Sequence, residues 1–546
     1  MKKQTIILAL GLWFNLTYAQ QKNDQQITEG FDKILSEQFK ADEPGATVLV
    51  ARRGEVIYKK AFGMANLELN VPMKADNVFR IASITKQFTA VAILQLMEQG
   101  KLDLQDEITR FIPDYPTSGY KITIEHLLTH TSGIANNTDM PDYMGRIDLK
   151  PTEMIDHFKS QPMKFAPGTN WSYSNNGYFL LGHIIERITG ITYAEYLEEN
   201  FFKPLGMTNS RYANDTKIII NRAGAYTKGD SDIENAQPIS MTHPYSAGSI
   251  QSTVEDLFQW HQAIHSYKLI KKETLDKALT RYKLINGKET SYGYGWRLGY
   301  VYESPSIWHG GLINGFITMA IYLPVEDVFV AVFSNCDCNS PEVTTSWLAA
   351  LMAGKPSEYK EVAVENTSLQ GYAGLYENLK GQQRIITVSD NKLYSQAGRG
   401  PKSNLKSYQK DLFFFNAMQT ADFSRNEKGE IEKLTTKNIN GNDIWIKTNK
   451  PIPSENGIKV DGKILEAYVG SYEVTPEFTF AISKEQDKLF LKAPEQEKLE
   501  MFPETEIKFF LKVNDAEFVF VKDDSGKITK VVMNQGGREA DAKKIN

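Results

Sequence analysis

The chain has 546 residues, of which 41% are hydrophobic, 24% charged and 11% aromatic, and its formal net charge is −5. That is the composition of a globular protein with apolar side chains enough for about two to four domains. The slightly acidic balance argues against nucleic acid or an anionic membrane surface as a partner.

The opening segment, MKKQTIILALGLWFNLTYAQQ, sets Lys2 and Lys3 before an apolar run from about Ile6 to Leu16, and Ala19 ends a cleavage-type sequence. The run is too short to span a bilayer, so residues 1–19 read as a secretory signal peptide rather than as a buried N-terminal helix. No cysteine follows it for a lipid anchor, and the expectation is a periplasmic or secreted protein without stable membrane insertion.

From about Asn23 to Met352 the pattern mixes strands and helices. GATVLVARRGEVIYKKAFG (45–63) reads as a β-hairpin turning at Arg53-Gly54. RIASITKQFTAVAILQLMEQG (80–100) predicts a helix that is apolar on nearly all sides from Phe88 to Met97 and stops at Gly100. Further helical stretches lie near 124–130, 177–201, 253–266 and 343–353, and after Tyr292 come the strand-like runs GYGWRLGYVY, GFITMAIYLP and DVFVAVFSN. Strands at both ends with helices between predict an α/β domain over 24–353, one sheet whose ends meet with helices on both faces. Cys336 and Cys338, in NCDCN, stand two residues apart, where a disulfide would be strained. Two sulfurs do not make a metal site, so free thiols are expected.

GKPSEYKEVAVENTS (354–368) is polar and reads as a linker, and beyond it the chain repeats itself. LQGYAGLYE (369–377) returns as LEAYVGSYE (465–473), Lys392-Leu393 as Lys488-Leu489, and Phe413-Phe414 as Phe509-Phe510, each pair 96 residues apart. Alternating runs such as FFFNA and EFVFV predict antiparallel strands, hence two tandem all-β, barrel-like modules at 369–450 and 460–546 with aromatic cores.

The candidate chemistry starts at Ser83 and Lys86. Ser-x-x-Lys also occurs at Ser118, Ser357, Ser389, Ser403 and Ser407, but there in polar surroundings, whereas Ser83 alone opens an apolar helix. One helical turn puts Ser83 and Lys86 on one face, and a serine hydroxyl becomes a nucleophile once a neighbour accepts its proton. The bland alternative is a helix cap beside an exposed lysine. Tyr173-Ser174-Asn175, in PGTNWSYSNNGYFLLG (167–182), offers a phenol able to relay protons and a carboxamide able to hold a carbonyl. His309-Gly310-Gly311, in WHGGLINGF just before a strand at Ile317–Leu323, is the chain's only His-x-Gly, and its glycines let a ligand lie against the backbone. His126 and His130 are spaced as metal ligands can be, but no His-Glu-x-x-His or third ligand accompanies them, so no metal and no cofactor are expected.

SITK, YSN and HGG, in that order and roughly 90 and 136 residues apart, resemble the penicillin-recognising serine hydrolases, in the branch of class C β-lactamases, D,D-peptidases, D-aminopeptidases and related esterases. HLLTHTSGI (126–134), PLGM (204–207) and AGSIQSTVEDLFQW (247–260) extend the resemblance over about residues 24–350. It implies an antiparallel sheet with an added all-α lobe. It also implies an acyl-enzyme on Ser83, proton transfer shared by Lys86 and Tyr173, and a substrate amide oriented by Asn175. By the same resemblance His309 and Gly311 line the substrate site, and the backbone N–H groups of Ser83 and Leu312 form the oxyanion hole. His309 stands where many relatives carry the lysine of Lys-Thr-Gly, a motif absent from this chain. That departure favours small amides, esters and D-amino-acid or peptidoglycan-derived peptides over β-lactams. A true β-lactamase, or a non-catalytic binder of cell-wall fragments using the β modules, are the competing readings. The expected partner is a small-molecule or peptide substrate.

Overall fold

The computed structural model describes residues 24–136, 144–214, 216–230, 232–355, 361–362, 369–378, 381–398, 400–416, 419–452, 457–475, 478–494, 497–512, 516–535 and 538–545. The expected signal peptide at 1–19 lies outside them, as do 356–360 and 363–368 of the expected linker. The chain divides into two compact units, residues 1–358 with 437–442, and residues 359–436 with 443–546.

The first unit is built on a six-stranded antiparallel sheet. Strands β1 (Ala46–Arg52) and β2 (Glu55–Phe62) form the expected hairpin, and both turn residues, Arg53 and Gly54, have positive φ, as a tight two-residue turn demands. The remaining strands are β3 (Arg297–Val301), β4 (Ser304–Ile313), β5 (Phe316–Leu323) and β6 (Val328–Ser334). Their order is β3-β4-β5-β6-β1-β2, so the chain's two ends meet where β1 pairs with β6, from Ala46 opposite Ser334 to Arg52 opposite Val328. Every residue of β6 is buried, which requires cover on both faces. Phe329, Ala331 and Phe333 join one core with Leu257 and Phe258 of a helix at Val254–His265, and the alternate valines face the side where the helix Glu342–Met352 packs.

The apolar helix predicted from Phe88 is α1 (Thr85–Glu98), buried from Thr85 to Leu94, with Phe88 stacked on Trp260 at 3.8 Å. Helices α2 (Ile124–Leu128) and α3 (Asn175–Thr189) belong to the same core. The single helix expected over 177–201 is broken. Gly190 takes a left-handed conformation and ends α3, and Thr192 with Glu195 forms a capping box that starts a new helix at Tyr193. Cys336 and Cys338, expected as free thiols, are joined in a disulfide. Asp337 accepts hydrogen bonds from Thr227 Oγ1 (2.6 Å) and the Gly315 amide (2.9 Å), and that folded turn brings the two Cα atoms to 5.1 Å, within the span a disulfide bridges.

In the second part of the chain the repeat becomes two closed barrels of eight strands each, running between Gly374–Glu377 and Gly441–Lys447 and between Gly470–Thr475 and Arg538–Lys544. The copies share details as well as outline. Tyr376 donates to the Tyr372 carbonyl at 2.7 Å and Tyr472 to the Tyr468 carbonyl at 2.8 Å, 96 residues on. The aromatic side chains are core, as expected, with Tyr376, Phe413, Phe423 and Trp445 in one barrel and Tyr472, Phe480, Phe509 and Phe520 in the other.

Candidate active site

Ser83 sits on a short 3-10 turn, Ala82–Ile84, that runs directly into α1. Ala82, just before it, has φ +45°, a conformation that costs a residue bearing a Cβ and that persists where the surroundings impose it. Those surroundings are β4 and β5. Thr318 Oγ1 donates to the Ile81 carbonyl at 3.0 Å, and a Cβ added to Gly311 would meet that carbonyl oxygen at 2.2 Å and Thr318 Oγ1 at 2.6 Å. Gly311 therefore lets the strand and the Ser83 turn touch. Gly311→Ala is expected to cost roughly 1–3 kcal/mol of stability by overpacking, read by denaturant unfolding, and to slow acylation of Ser83 at least about tenfold by shifting the turn.

Lys86, one turn on, is 0% exposed. Its Nζ lies 2.8 Å from Asn175 Oδ1, 2.8 Å from the Ala247 carbonyl oxygen and 3.1 Å from Ser83 Oγ. Burial, reinforced by the charge of Arg297, holds its pKa well below the usual lysine value. A neutral amine has two N–H groups and one lone pair. Two of its three partners are carbonyl oxygens, which only accept, so both N–H groups are committed and the lone pair is left for the Ser83 hydroxyl. Such an arrangement can deliver a base to a hydroxyl.

Tyr173 and Asn175 arrive on the segment that leads into α3. Ser174 is the helix N-cap, its Oγ accepting from the Gly177 amide at 3.1 Å, and Asn175 is the first helical residue. The Tyr173 ring centroid is 4.8 Å from Lys86 Nζ. Burial pushes its phenol up to about 12, while hydrogen bonding with Ser83 and the charge of Arg297 pull the other way, so the group is an uncharged proton donor at neutral pH.

His309 lies on β4, a strand extending from Ser304 through the His-Gly-Gly motif, where only the following strand was expected. Its ring is 1% exposed and both nitrogens are used inside the protein. Nδ1 is 2.6 Å from the Gly310 carbonyl oxygen, an acceptor, so Nδ1 carries the proton and Nε2 accepts from the Tyr292 hydroxyl at 2.8 Å. Burial first, then the charge of Arg297, keeps its pKa well below the ordinary histidine value. Its neutral ring thus braces the wall of the cleft rather than offering a charge to a ligand.

The cation on the Tyr173 side of the cleft is Arg297, which sequence reasoning passed over. Its guanidinium carbon lies 5.3 Å from the Trp308 ring, 5.5 Å from Tyr173 and 5.9 Å from both Trp171 and Tyr292, and it forms no salt bridge among the described residues. The available signal was a lone arginine in the aromatic strand run GYGWRLGYVY.

Two hollows meet at Ser83, Asn175 and Leu312. One, of about 490 Å³, is lined by Tyr173, Arg297 and Gly311; the other, of about 520 Å³, by Met154, Phe179, Ile239 and Pro244. β3 pairs with β4 only over residues 304–308, so beyond that point the outer edge of β4 runs along the Ser83 turn, with Leu312 67% exposed. Sequence-distant Ser83, Lys86, Tyr173 and Asn175 are thus brought together, with Gly311 and Leu312 beside them and His309 behind. His126 is a helix cap, its Nδ1 accepting from the Thr123 amide at 3.2 Å. Among the described residues no three His, Cys, Asp or Glu side chains are grouped to hold a metal ion.

Known proteins share this architecture. Residues 26–354 match the family described as Beta-lactamase, and residues 358–448 and 455–544 each match one described as a domain of unknown function, DUF3471. A penicillin-binding protein of Bacillus subtilis (strain 168) is 29% identical over 68% of this chain and 88% of its own length. Esterase EstB of Burkholderia gladioli is 31% identical over 50% of this chain and 77% of its own. Among solved structures, a D-amino acid amidase from Ochrobactrum anthropi SV3 covers 60% of this chain and 98% of its own at 24% identity and a TM-score of 0.54, a likeness of fold. With a family match spanning more than half its length, around a serine, lysine, tyrosine and asparagine gathered in one cleft, the chain belongs to the Beta-lactamase family of serine hydrolases.

Proposed function

We propose that this chain is an exported serine hydrolase that cleaves small amides or esters through an acyl-enzyme on Ser83, with D-amino-acid or peptidoglycan-derived peptides as its substrate class. The observation that carries the reading is the buried Lys86 amine, its pKa held well below the ordinary lysine value, its other two partners both acceptors, and Ser83 Oγ 3.1 Å away. As Oγ bonds to the substrate carbonyl carbon, the Ser83 proton passes to Lys86, and the backbone N–H groups of Ser83 and Leu312 hold the developing oxyanion. Tyr173 hands a proton to the departing amine or alkoxide as its bond to carbon breaks, and is reprotonated from Lys86. Water attacking the ester carbonyl reverses the sequence and frees the acid. Asn175 keeps Lys86 in place at 2.8 Å and offers its amide N–H to the substrate. Export fits the basic and apolar run at the start of the sequence and the Cys336–Cys338 disulfide, a bond that persists in oxidising compartments.

Arg297 sharpens the substrate class. A lone guanidinium in an aromatic setting beside the nucleophile favours a substrate that carries a carboxylate near its scissile bond. In Arg297→Gln, KM for a carboxylate-bearing peptide is expected to rise about tenfold or more, while KM for an uncharged ester stays unchanged. Removing that charge also raises the pKa of Lys86, so the rising limb of the pH–rate profile moves to higher pH for both substrates. The deciding experiment is a panel of D- and L-aminoacyl amides, short esters and β-lactams. Turnover led by D-configured amides or esters supports the reading, and nitrocefin turnover exceeding all of them would replace it with a β-lactamase.

A further inference from the structure

We propose that His130 is a positioning residue whose neutral imidazole pins the backbone of the Tyr173–Asn175 segment, and so sets the catalytic phenol and carboxamide against Lys86. The inference rests on the acyl-transfer reading above and adds to it a group that touches none of the reacting atoms. His130 ends α2 in a Schellman motif: the Thr131 amide donates to the His126 carbonyl at 2.9 Å and the His130 amide to that of Leu127 at 3.4 Å. The residue at this point of the motif must be left-handed, and His130 has φ +60°. Glycine fills that place at no steric cost, so a histidine held there against its backbone preference is present for its ring.

The ring does a specific job. Its Nδ1 accepts from the Ser174 amide at 3.1 Å, and its carbonyl accepts from the Ser172 amide at 3.0 Å. The residue between those two amides is Tyr173, whose ring centroid lies 4.3 Å from that of His130. The following residues continue the clasp. Asn136 Oδ1 accepts from the Asn175 amide and the Ala135 carbonyl from Asn176 Nδ2, both at 2.8 Å. Because Nδ1 must accept, the proton of the neutral ring is on Nε2, a buried atom with no hydrogen-bond partner among the described residues. An unpaired polar atom is tolerated there for the sake of the contact on the other side of the ring.

Protonation would place an N–H at Nδ1 against the Ser174 N–H and break the clasp. The groups facing the ring are Lys86 on α1, Tyr178 on α3, Tyr173 and Trp171 on the loop, Tyr292 and Arg297 around the start of β3, and His309 on β4; none of these is a carboxylate that would favour a charged ring. Burial, with the charge of Arg297, accordingly holds His130 well below the ordinary histidine pKa.

The test pairs a spectrum with two variants of the full chain. In protein labelled with 15N-histidine, and with the signal assigned by its loss in His130→Asn, the wild-type His130 ring is expected to show a bare Nδ1 and a protonated Nε2 from about pH 5 to pH 8. His130→Asn keeps an acceptor at the Nδ1 position and tolerates a left-handed backbone, and should hold kcat within about tenfold. His130→Leu keeps apolar bulk without the acceptor and should lose about a hundredfold in kcat with little change in KM. A proton on Nδ1 at pH 7, or Asn and Leu variants with equal kcat, would overturn the proposal. The spectrum needs no turnover, so an inactive wild type would sink the acyl-transfer reading while the ring's tautomer still judges the pin.

Discussion

Ser83→Ala is expected to lower kcat/KM on the best ester or amide of the panel about a thousandfold or more, and to abolish labelling by a fluorophosphonate probe. The physical reason lies in the geometry rather than in the motif. Ser83 Oγ is the group left for the Lys86 lone pair, and among the described residues no other hydroxyl is hydrogen-bonded to that amine. The side chain is small and half-buried at the mouth of two hollows, so alanine removes the nucleophile without opening a void. The circular dichroism spectrum and unfolding midpoint should therefore match the wild type. Persistent labelling of the variant would mean that another residue carries the reaction.

Lys86→Met carries the second large effect, a fall in kcat of about a thousandfold, since general-base help of this kind is worth about 10²–10⁴. Methionine reproduces length and bulk but leaves Asn175 Oδ1 and the Ala247 carbonyl without their donor. A stability loss of roughly 1–3 kcal/mol per orphaned acceptor accompanies the change. Lys86→Arg separates charge from basicity, because a guanidinium cannot give up its proton and so cannot act as the base. It should be as inactive as the methionine variant. The pH profile gives the same conclusion by another route. The base works only when deprotonated, so the rate rises with pH through the pKa of Lys86, which burial and Arg297 have lowered; the rising limb thus lies well below the ordinary lysine value near pH 10.5. Tyr173, pushed up to about 12, keeps its proton across that range and imposes no falling limb near neutrality. An ascent centred near pH 10 would show Lys86 charged at neutral pH and the proposed base unavailable.

The features legible in the sequence are those written in short-range patterns. Arg53-Gly54 between two β-rich runs announced the hairpin, and an unbroken apolar face from Phe88 announced the helix that carries Lys86. Repeated phrases 96 residues apart announced paired barrels, down to the tyrosine hydrogen bond that both copies keep. What escaped was decided by tertiary context. β4 went unseen because Pro305, Gly310 and Gly311 blur strand periodicity, yet β5 pairs with it from Ile307 to Ile313. His309 lines the hollow beside Ser83, but its ring partners, Tyr292 and the Gly310 carbonyl, become its neighbours only in the folded strand. Arg297 looked like one charge among many until four aromatic rings closed around it. The disulfide depended on a turn that Asp337 ties to Thr227 and Gly315, from parts of the chain far from NCDCN.

The proposed reaction requires that Ser83 itself becomes acylated with Lys86 as its base. The most direct measurement is rapid acid quenching of wild-type protein during turnover of a short activated ester, followed by intact mass and peptide mapping. The expected result is a mass increase of one acyl group located on the peptide containing Ser83, with an accumulation rate that climbs with pH along the same limb as kcat/KM. An acyl group mapped elsewhere, or full turnover with no adduct at any quench time while the Ser83→Ala variant remains active, would contradict it.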